Sequence, residues 1–265
     1  MANNRSASDP LVSVVMAVFN QERTVRRAMA SILGQTFTDF EIIVIDDAST
    51  DGTHDELTRM GRSDSRLKIF RNKANIGLAG SLNLAWRASR GQLIARMDGD
   101  DVSNRNRFEM QVAFLKDHPE IGVLGTAAEL FDPAGEPIGV AVRPADHDTL
   151  VSLMHREIPF IHPSVMMRRS VLELTNGYNE RLRRAQDADL WFRAEQHFRF
   201  HNLSTPLLSY TVSERQSFLA ITMGARVFIE SGIRRGHPLI GIWSGARCLA
   251  AGLLTRAGLT NVRLR

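Results

Sequence analysis

Two apolar runs that each end in acids, FEIIVIDD (40–47) and QLIARMDGDD (92–101), constrain this chain most. A third run, LVSVVMAVFN (11–20), is equally continuous and rich in β-branched residues. Runs without polar alternation need apolar cover on both faces, which a parallel sheet flanked by helices supplies. The intervening segments carry helical spacing. Val25, Met29, Ile32 and Leu33 predict a helix from about Glu22 to Gly34, with further helices at 53–62 and Leu78–Ala88 and a short strand LKIF at 67–70. The alternation, with crossovers long enough for parallel pairing, predicts an α/β fold wound like a nucleotide-binding domain.

After Asp101 the pattern changes. A helix carrying Phe108, Val112 and Leu115 precedes a strand IGVLGTAAELF (121–131), a Pro/Gly turn DPAGEPIG and a strand-like segment HPSVMMRR (162–169), so the second half reads as a mixed sheet. Leu190, Trp191, Ala194 and Phe198 predict a helix over 187–200, with Asp187 in its first turn and Trp191 in the core. No repeat, low-complexity tract or long linker interrupts residues 11–212, which predicts one compact domain.

With 265 residues, 43% hydrophobic and 23% charged, the chain has material for a sizeable core and is not a disordered tail. A single cysteine, Cys248, excludes an intramolecular disulfide framework and a Cys-rich zinc site. The polar opening MANNRSASDP has none of the parts of a secretory signal, so a cytoplasmic location is expected. The formal net charge of +4 is unevenly spread: residues 215–265 hold eight Arg against one acid, Glu230, while residues 1–214 hold 25 basic and 28 acidic residues. The basic character therefore belongs to the C-terminal fifth and is no whole-protein nucleic-acid footprint; no nucleic-acid partner is expected.

In that fifth, Leu239, Ile242, Trp243, Ala246, Leu249, Ala250 and Leu253 follow helical spacing, punctuated by Arg234, Arg235, Arg247 and Arg256. The run is too short and too charged to span a bilayer. Two readings stand, an amphipathic face on an anionic membrane surface or an ordinary packing helix pair; five glycines from Gly232 to Gly252 weaken a long regular helix.

The chemistry sits at strand ends. Asp46 and Asp47 close the second strand, and Asp98, Asp100 and Asp101 follow the fourth, at the sheet edge where open parallel sheets bind ligands. Asp98 and Asp100, two residues apart, can address one hard cation, which prefers carboxylate and phosphate oxygens. Any one acidic turn also serves as a helix cap or Asx-turn; two of them with a later Asp187 on one framework point to a site.

The segments VSVVMAVFN, SILGQTFTDFEIIVIDDASTDGT, NKANIGLAGSLNLA, RGQLIARMDGDD, HPSVMMRRSVLELTNGYNE and AQDADLWFR, in this order over about residues 10–212, resemble family 2 of the inverting glycosyltransferases. The resemblance implies a GT-A fold in residues 10–214, with a Rossmann-like nucleotide-binding half at 10–101 and an acceptor-binding half at 102–214. The basic helical segment 215–265 lies outside it. It implies a divalent metal, Mn²⁺ or Mg²⁺, between donor diphosphate and protein. Residue by residue, it implies that Ala17, Phe19, Glu22, Asp47 and Asp98 face the nucleotide. Phe19, where the family usually has Tyr, would stack on the base, and Glu22 and Asp47 would line the base and ribose pocket. Asp98 and Asp100 form the DxD, with Asp100 the main metal ligand and Asp101 a weaker one. Asp187 matches the general base. His162 either reaches the diphosphate or metal or is a hydrogen-bonded strand histidine. Arg107 and Arg193 either contact phosphate or acceptor or form helix-surface salt bridges.

Gln186 stands where the family commonly has Glu, Ala48 replaces the usual Gly after the acid pair, and the QxxRW motif of processive relatives is absent. The implied reaction is transfer of a single sugar from a nucleotide-diphosphate sugar, UDP-linked by first choice, to a hydroxyl of a cell-surface glycan or lipid-linked acceptor. In-line displacement inverts the anomeric centre. The implied setting is cytoplasmic, including the inner face of the cell membrane. The alternative is a non-catalytic member that binds nucleotide sugar or a partner protein. A sugar-nucleotide pyrophosphorylase would need a Gly-rich loop with Arg and Lys, which AVFNQE does not offer.

Overall fold

A computed structural model describes residues 9–154, 157–212, 225, 227–233 and 238–256. The first half alternates as expected: β1 (Val12–Val18), α1 (Val25–Leu33), β2 (Phe40–Asp46), α2 (Thr53–Gly61), β3 (Leu67–Arg71), α3 (Leu78–Ala88) and β4 (Leu93–Arg96). β1 pairs in parallel with β2 on one side and β4 on the other, and β3 extends the sheet beyond β2. The order 3-2-1-4 reverses direction at β1, so a crevice opens between the C-terminal ends of β1 and β4.

The unbroken apolar runs are explained by two cores, one on each face of the sheet. Along β1, Val12, Val14, Met16 and Val18 enter one core with α1, whereas Val15 and Ala17 enter the other with α3 and Trp191. β2 divides in the same way, Ile42 and Val44 against Ile43 and Ile45. Burying each such side chain stabilises by about 1.5–3 kcal/mol, so truncating Ile43 to Ala is expected to cost about 2–5 kcal/mol.

The second half adds β5 (Val102–Ser103), α4 (Arg107–Asp117), β6 (Ile121–Phe131), β7 (Pro137–Ala141), α5 (His147–Leu153), β8 (Met166–Arg168), α6 (Arg169–Thr175), α7 (Gln186–Ala194) and β9 (Arg199–Thr211). Helical residues 227–233 (α8) and Pro238–Arg256 (α9) follow. The strands join one nine-stranded mixed sheet in the order β3-β2-β1-β4-β8-β6-β9-β5, with β7 on β6; β4–β8 and β6–β8 are antiparallel and β6–β9 parallel.

Two expectations are corrected. The helix read over 187–200 ends at Ala194, whose carbonyl accepts from both His197 and Phe198, and the chain then enters the thirteen-residue β9. HPSVMMRR is not one strand: Pro163 offers no amide to a ladder, so His162–Ser164 form a 3₁₀ turn, β8 holds only three residues, and Arg169 already starts α6. The Pro/Gly turn after β6 closes a hairpin with β7. Part of the segment 215–265, including Arg215, Arg234 and Arg235, lies outside the described residues.

Candidate active site

Alternation along β4 puts Ile94 in the core beside α3 and α7, so Arg96, two residues on, points to that same face. Arg96 is only 2% exposed, and its Nη1 lies 2.5 Å from Asp98 Oδ2. A cation inside a buried strand needs a partner, and Asp98 is the nearest one. The loop that follows folds back over the end of β1: a Cβ on Gly99 would lie 2.1 Å from Gln21 Oε1 and 2.8 Å from Val18 Cγ1, so a larger residue there must displace Gln21 and press on Val18. That reversal gathers Asp98, Asp100 and Asp101, whose carboxylates offer ligand atoms all within 4.8 Å of one another.

Burial pushes Asp101 up to about 8, helped by the neighbouring negative charge of Asp98 and opposed by an amide bond from Thr211. Thr211 N donates to Asp101 Oδ1 at 3.0 Å, whereas the buried Oδ2 has no hydrogen-bond partner. Asp100 is raised by burial and then by Asp98, and its carbonyl accepts from Thr211 Oγ1 and Arg27 Nη2. Crowded carboxylates with an orphaned buried oxygen are the donor set a hard divalent cation takes, so these residues fit such a metal.

Asp187 sits in the first turn of α7, after Ala185 at φ 57, a left-handed conformation strained for alanine. It keeps part of its surface open, yet lies deep enough that burial raises its pKa; backbone amides and Arg96 oppose the rise, and Asp98 adds to it. Asp187 and the acidic cluster therefore share one field, with Arg96 acting on both. The carbonyl oxygen of the Gln186 side chain is buried without a hydrogen-bond partner.

His162 is buried in its 3₁₀ turn, with Nε2 2.9 Å from the Tyr178 hydroxyl and its ring edge-on to Tyr178 and Trp191. Burial and then Arg96 hold its pKa well below the usual range, which keeps the imidazole neutral. Trp191 is fully buried, as expected.

On the other side of the crevice, Phe19 is 46% exposed and lines a cleft of about 460 Å³ with Gln21, Glu22, Asp51 and Asp100. Glu22 Oε2 accepts from Gly52 N at 2.7 Å, which joins the loop after β1 to the start of α2. Asp47 is buried and already engaged: Oδ1 accepts from Asn72 Nδ2 and Ile76 N at 2.8 and 2.9 Å, and Oδ2 from Gly77 N at 2.8 Å. Gly77, at φ 87, turns the chain into α3. The Ala17 side chain packs in the α3 core, one residue before the end of β1.

Arg107 and Arg193 occupy more structural positions. Arg107 is no helix-surface residue: it is fully buried and donates to Gln111 Oε1 and to the carbonyls of Arg96 and Val165. Burial and Arg96 pull its pKa down to about 9. Arg193 pairs with Asp189 at 2.7 Å, one helical turn away. Sequence reasoning passed over Arg96 and Tyr178. The signal for Arg96 was present, a charge inside a run otherwise read as buried on both faces.

The family described as Glycosyl transferase family 2 matches residues 13–175. EpsE of Bacillus subtilis (strain 168), named as a glycosyltransferase, is 41% identical over 211 residues, 78% of this chain and 74% of its own length. The UDP-Glc:alpha-D-GlcNAc-diphosphoundecaprenol beta-1,3-glucosyltransferase WfgD of Escherichia coli is 37% identical over 107 residues, 40% of this chain and 42% of its own. Among solved structures, S. aureus TarS 1–349 in complex with UDP-GlcNAc superposes with a TM-score of 0.70 at 20% identity, over 95% of this chain and 74% of that one. The last likeness concerns the fold, and the sequence match supplies the kinship: this chain belongs to glycosyltransferase family 2 and has the GT-A fold.

Proposed function

We propose that this glycosyltransferase is metal-assisted and inverting, moving one sugar from a UDP-sugar to a hydroxyl of a cell-surface glycan or its lipid-linked precursor, at the cytoplasmic side of the membrane. The observation that carries the reading is the placement of the Asp98–Asp101 cluster and Asp187 about one buried cation, Arg96, at the sheet's ligand-binding edge. The UDP choice and the lipid-linked acceptor are supported by what the WfgD name states of that protein, and UDP also by the TarS complex.

In this reading Phe19 offers its exposed ring to the base, while Asp47 and Glu22 border the ribose. Asp47 has used three of its roughly four acceptor sites on the 72–77 loop, which fixes the pocket wall and leaves one for a ribose hydroxyl. Asp100 and Asp101 would hold the divalent cation, with Asp98 held by Arg96 at its border. When bound, that cation supplies positive charge beside the departing diphosphate.

Asp187 takes the proton from the acceptor hydroxyl onto a carboxylate oxygen as that hydroxyl attacks the anomeric carbon. Burial makes the carboxylate a stronger base, and the helix-start amides with Arg96 restrain the rise. Displacement from the face opposite the leaving diphosphate inverts the centre without a covalent enzyme intermediate. Tyr178 keeps His162 oriented behind the site.

The test is steady-state turnover of Asp187→Asn with UDP-sugar donors. The expected result is a fall in kcat of about 10²–10⁴ with donor affinity nearly intact. An equal loss of nucleotide binding would refute Asp187 as the base.

A further inference from the structure

The α8–α9 hairpin is built inside out. On the α9 side its inner seam carries Gly241 and Gly245: a Cβ on Gly241 would lie 2.9 Å from Gly232 Cα and from the Phe228 carbonyl oxygen, and one on Gly245 would lie 2.7 Å from Ile229 Cγ1 and 2.9 Å from the Ala225 carbonyl oxygen. The two backbones thus nearly touch. The large apolar side chains face outward instead: Leu239 is 79% exposed, Ile233 58%, Ile242 51%, Trp243 46% and Leu249 36%. Ser231 and Ser244 turn their hydroxyls back onto carbonyls of their own helices, Phe228 and Ile240. Glycine seams, outward aliphatics and self-satisfied hydroxyls are how helices pack where the surroundings are apolar.

Charge says which surroundings. The segment 215–265 holds eight Arg and one acid, and the Arg247 guanidinium lies 4.8 Å over the Trp243 ring, a cation and an amphipathic ring placed together on the exposed face. No helix among the described residues is long and apolar enough to cross a membrane. We propose that the outer face of α8 and α9, centred on Leu239, Ile242, Trp243 and Leu249, docks in the headgroup layer of an anionic lipid bilayer without spanning it. The hairpin is tied to the catalytic body, because Val227 joins the core and Phe228 packs edge-on against Phe192 of α7, the helix that begins at the Asp187 turn. Docking would therefore hold the acceptor side of the site next to the bilayer. The proposal rests on the hairpin alone and stands whether or not the acceptor is lipid-linked.

The experiment uses the full chain with phosphatidylcholine vesicles, with and without phosphatidylglycerol. Trp86 is 9% exposed and Trp191 fully buried, so a change in tryptophan emission reports Trp243. The expected result is cosedimentation with the anionic vesicles, a blue shift, and quenching by bromine-labelled lipid. The double substitution Leu239→Glu, Ile242→Glu, at exposed positions, is expected to lower vesicle affinity by about tenfold or more with the circular dichroism spectrum unchanged. Arg247→Glu should reduce the preference for phosphatidylglycerol. Failure to bind anionic vesicles, or binding equal to wild type in the double variant, would overturn the proposal. So would a concentration-dependent dimer that the double variant abolishes without any vesicle binding, which would give the face to a second copy of this chain.

Discussion

Two strand ends in this molecule carry the same residue type and use it in opposite ways. At the end of β2, Asp47 accepts three hydrogen bonds, from Asn72, Ile76 and Gly77, all donors of its own chain. Asp46 beside it accepts from Ser49 N and lies 3.1 and 3.2 Å from His54 and Arg71. At the end of β4, on the far side of β1, three carboxylates crowd within 4.8 Å, a buried oxygen of Asp101 has no hydrogen-bond partner, and Arg96 lies 2.5 Å from Asp98. The first end is compensated by its own chain, Asp47 through three donors and the buried Asp46 Oδ2 through His54 and Arg71. The second carries uncompensated negative charge that burial makes costly, which is the condition under which a site binds a cation from outside.

The largest expected effect that sharpens this contrast is at Arg96. Arg96→Ala leaves the β4 acids without their internal cation and should destabilise the fold by about 3–5 kcal/mol, read from chemical denaturation; Arg96→Lys should recover part of it. Next comes a crossed pair. Asp47→Ala strands three donors and should cost about 3 kcal/mol of stability, whereas Asp100→Asn should change stability by less than about 1 kcal/mol, because it relieves repulsion. If Asp100→Asn were the more damaging of the two to the fold, the contrast would break.

A pH series is the third test. The folded pKa of Asp101, about 8, lies above its unfolded value of 3.8, so the folded state binds the proton more tightly. Its contribution is full below pH about 4, is lost as pH rises through about 8, and is constant beyond. In EDTA, thermal stability should decline across that window, and Mn²⁺, which replaces the proton, should flatten the decline. The smallest effect is at the β2 end: Ala48 sits at φ 62, and Ala48→Gly should stabilise the protein by about 1 kcal/mol without changing nucleotide affinity.

How much of this was legible in the sequence divides along the chain. β1, β2, β4, α3 and β6 follow from runs whose composition admits only one packing, and the gathering of Asp98, Asp100 and Asp101 follows from where the fourth run stops. β9 was missed because FHNLSTPLLSYT is half polar, carries Pro206 and shows no regular alternation, while Phe198 fell by coincidence on the helical stripe of α7. The Ala48 departure from the family's glycine was legible as turn geometry, and the positive φ shows its cost. The anchoring of Asp47 was not, since its donors come from residues 72–77, which only the fold brings beside it.

The most direct test of the central claim, that the β4 end is the metal and nucleotide end, is calorimetric titration of UDP, GDP and dTDP, each with Mn²⁺ and with EDTA. It should be run on wild type, Asp100→Ala and Asp187→Asn. The expected result is UDP binding that requires Mn²⁺, is lost in Asp100→Ala and is retained in Asp187→Asn. Binding that is the same in EDTA and in Asp100→Ala, or no binding of any of the three nucleotides, would contradict it.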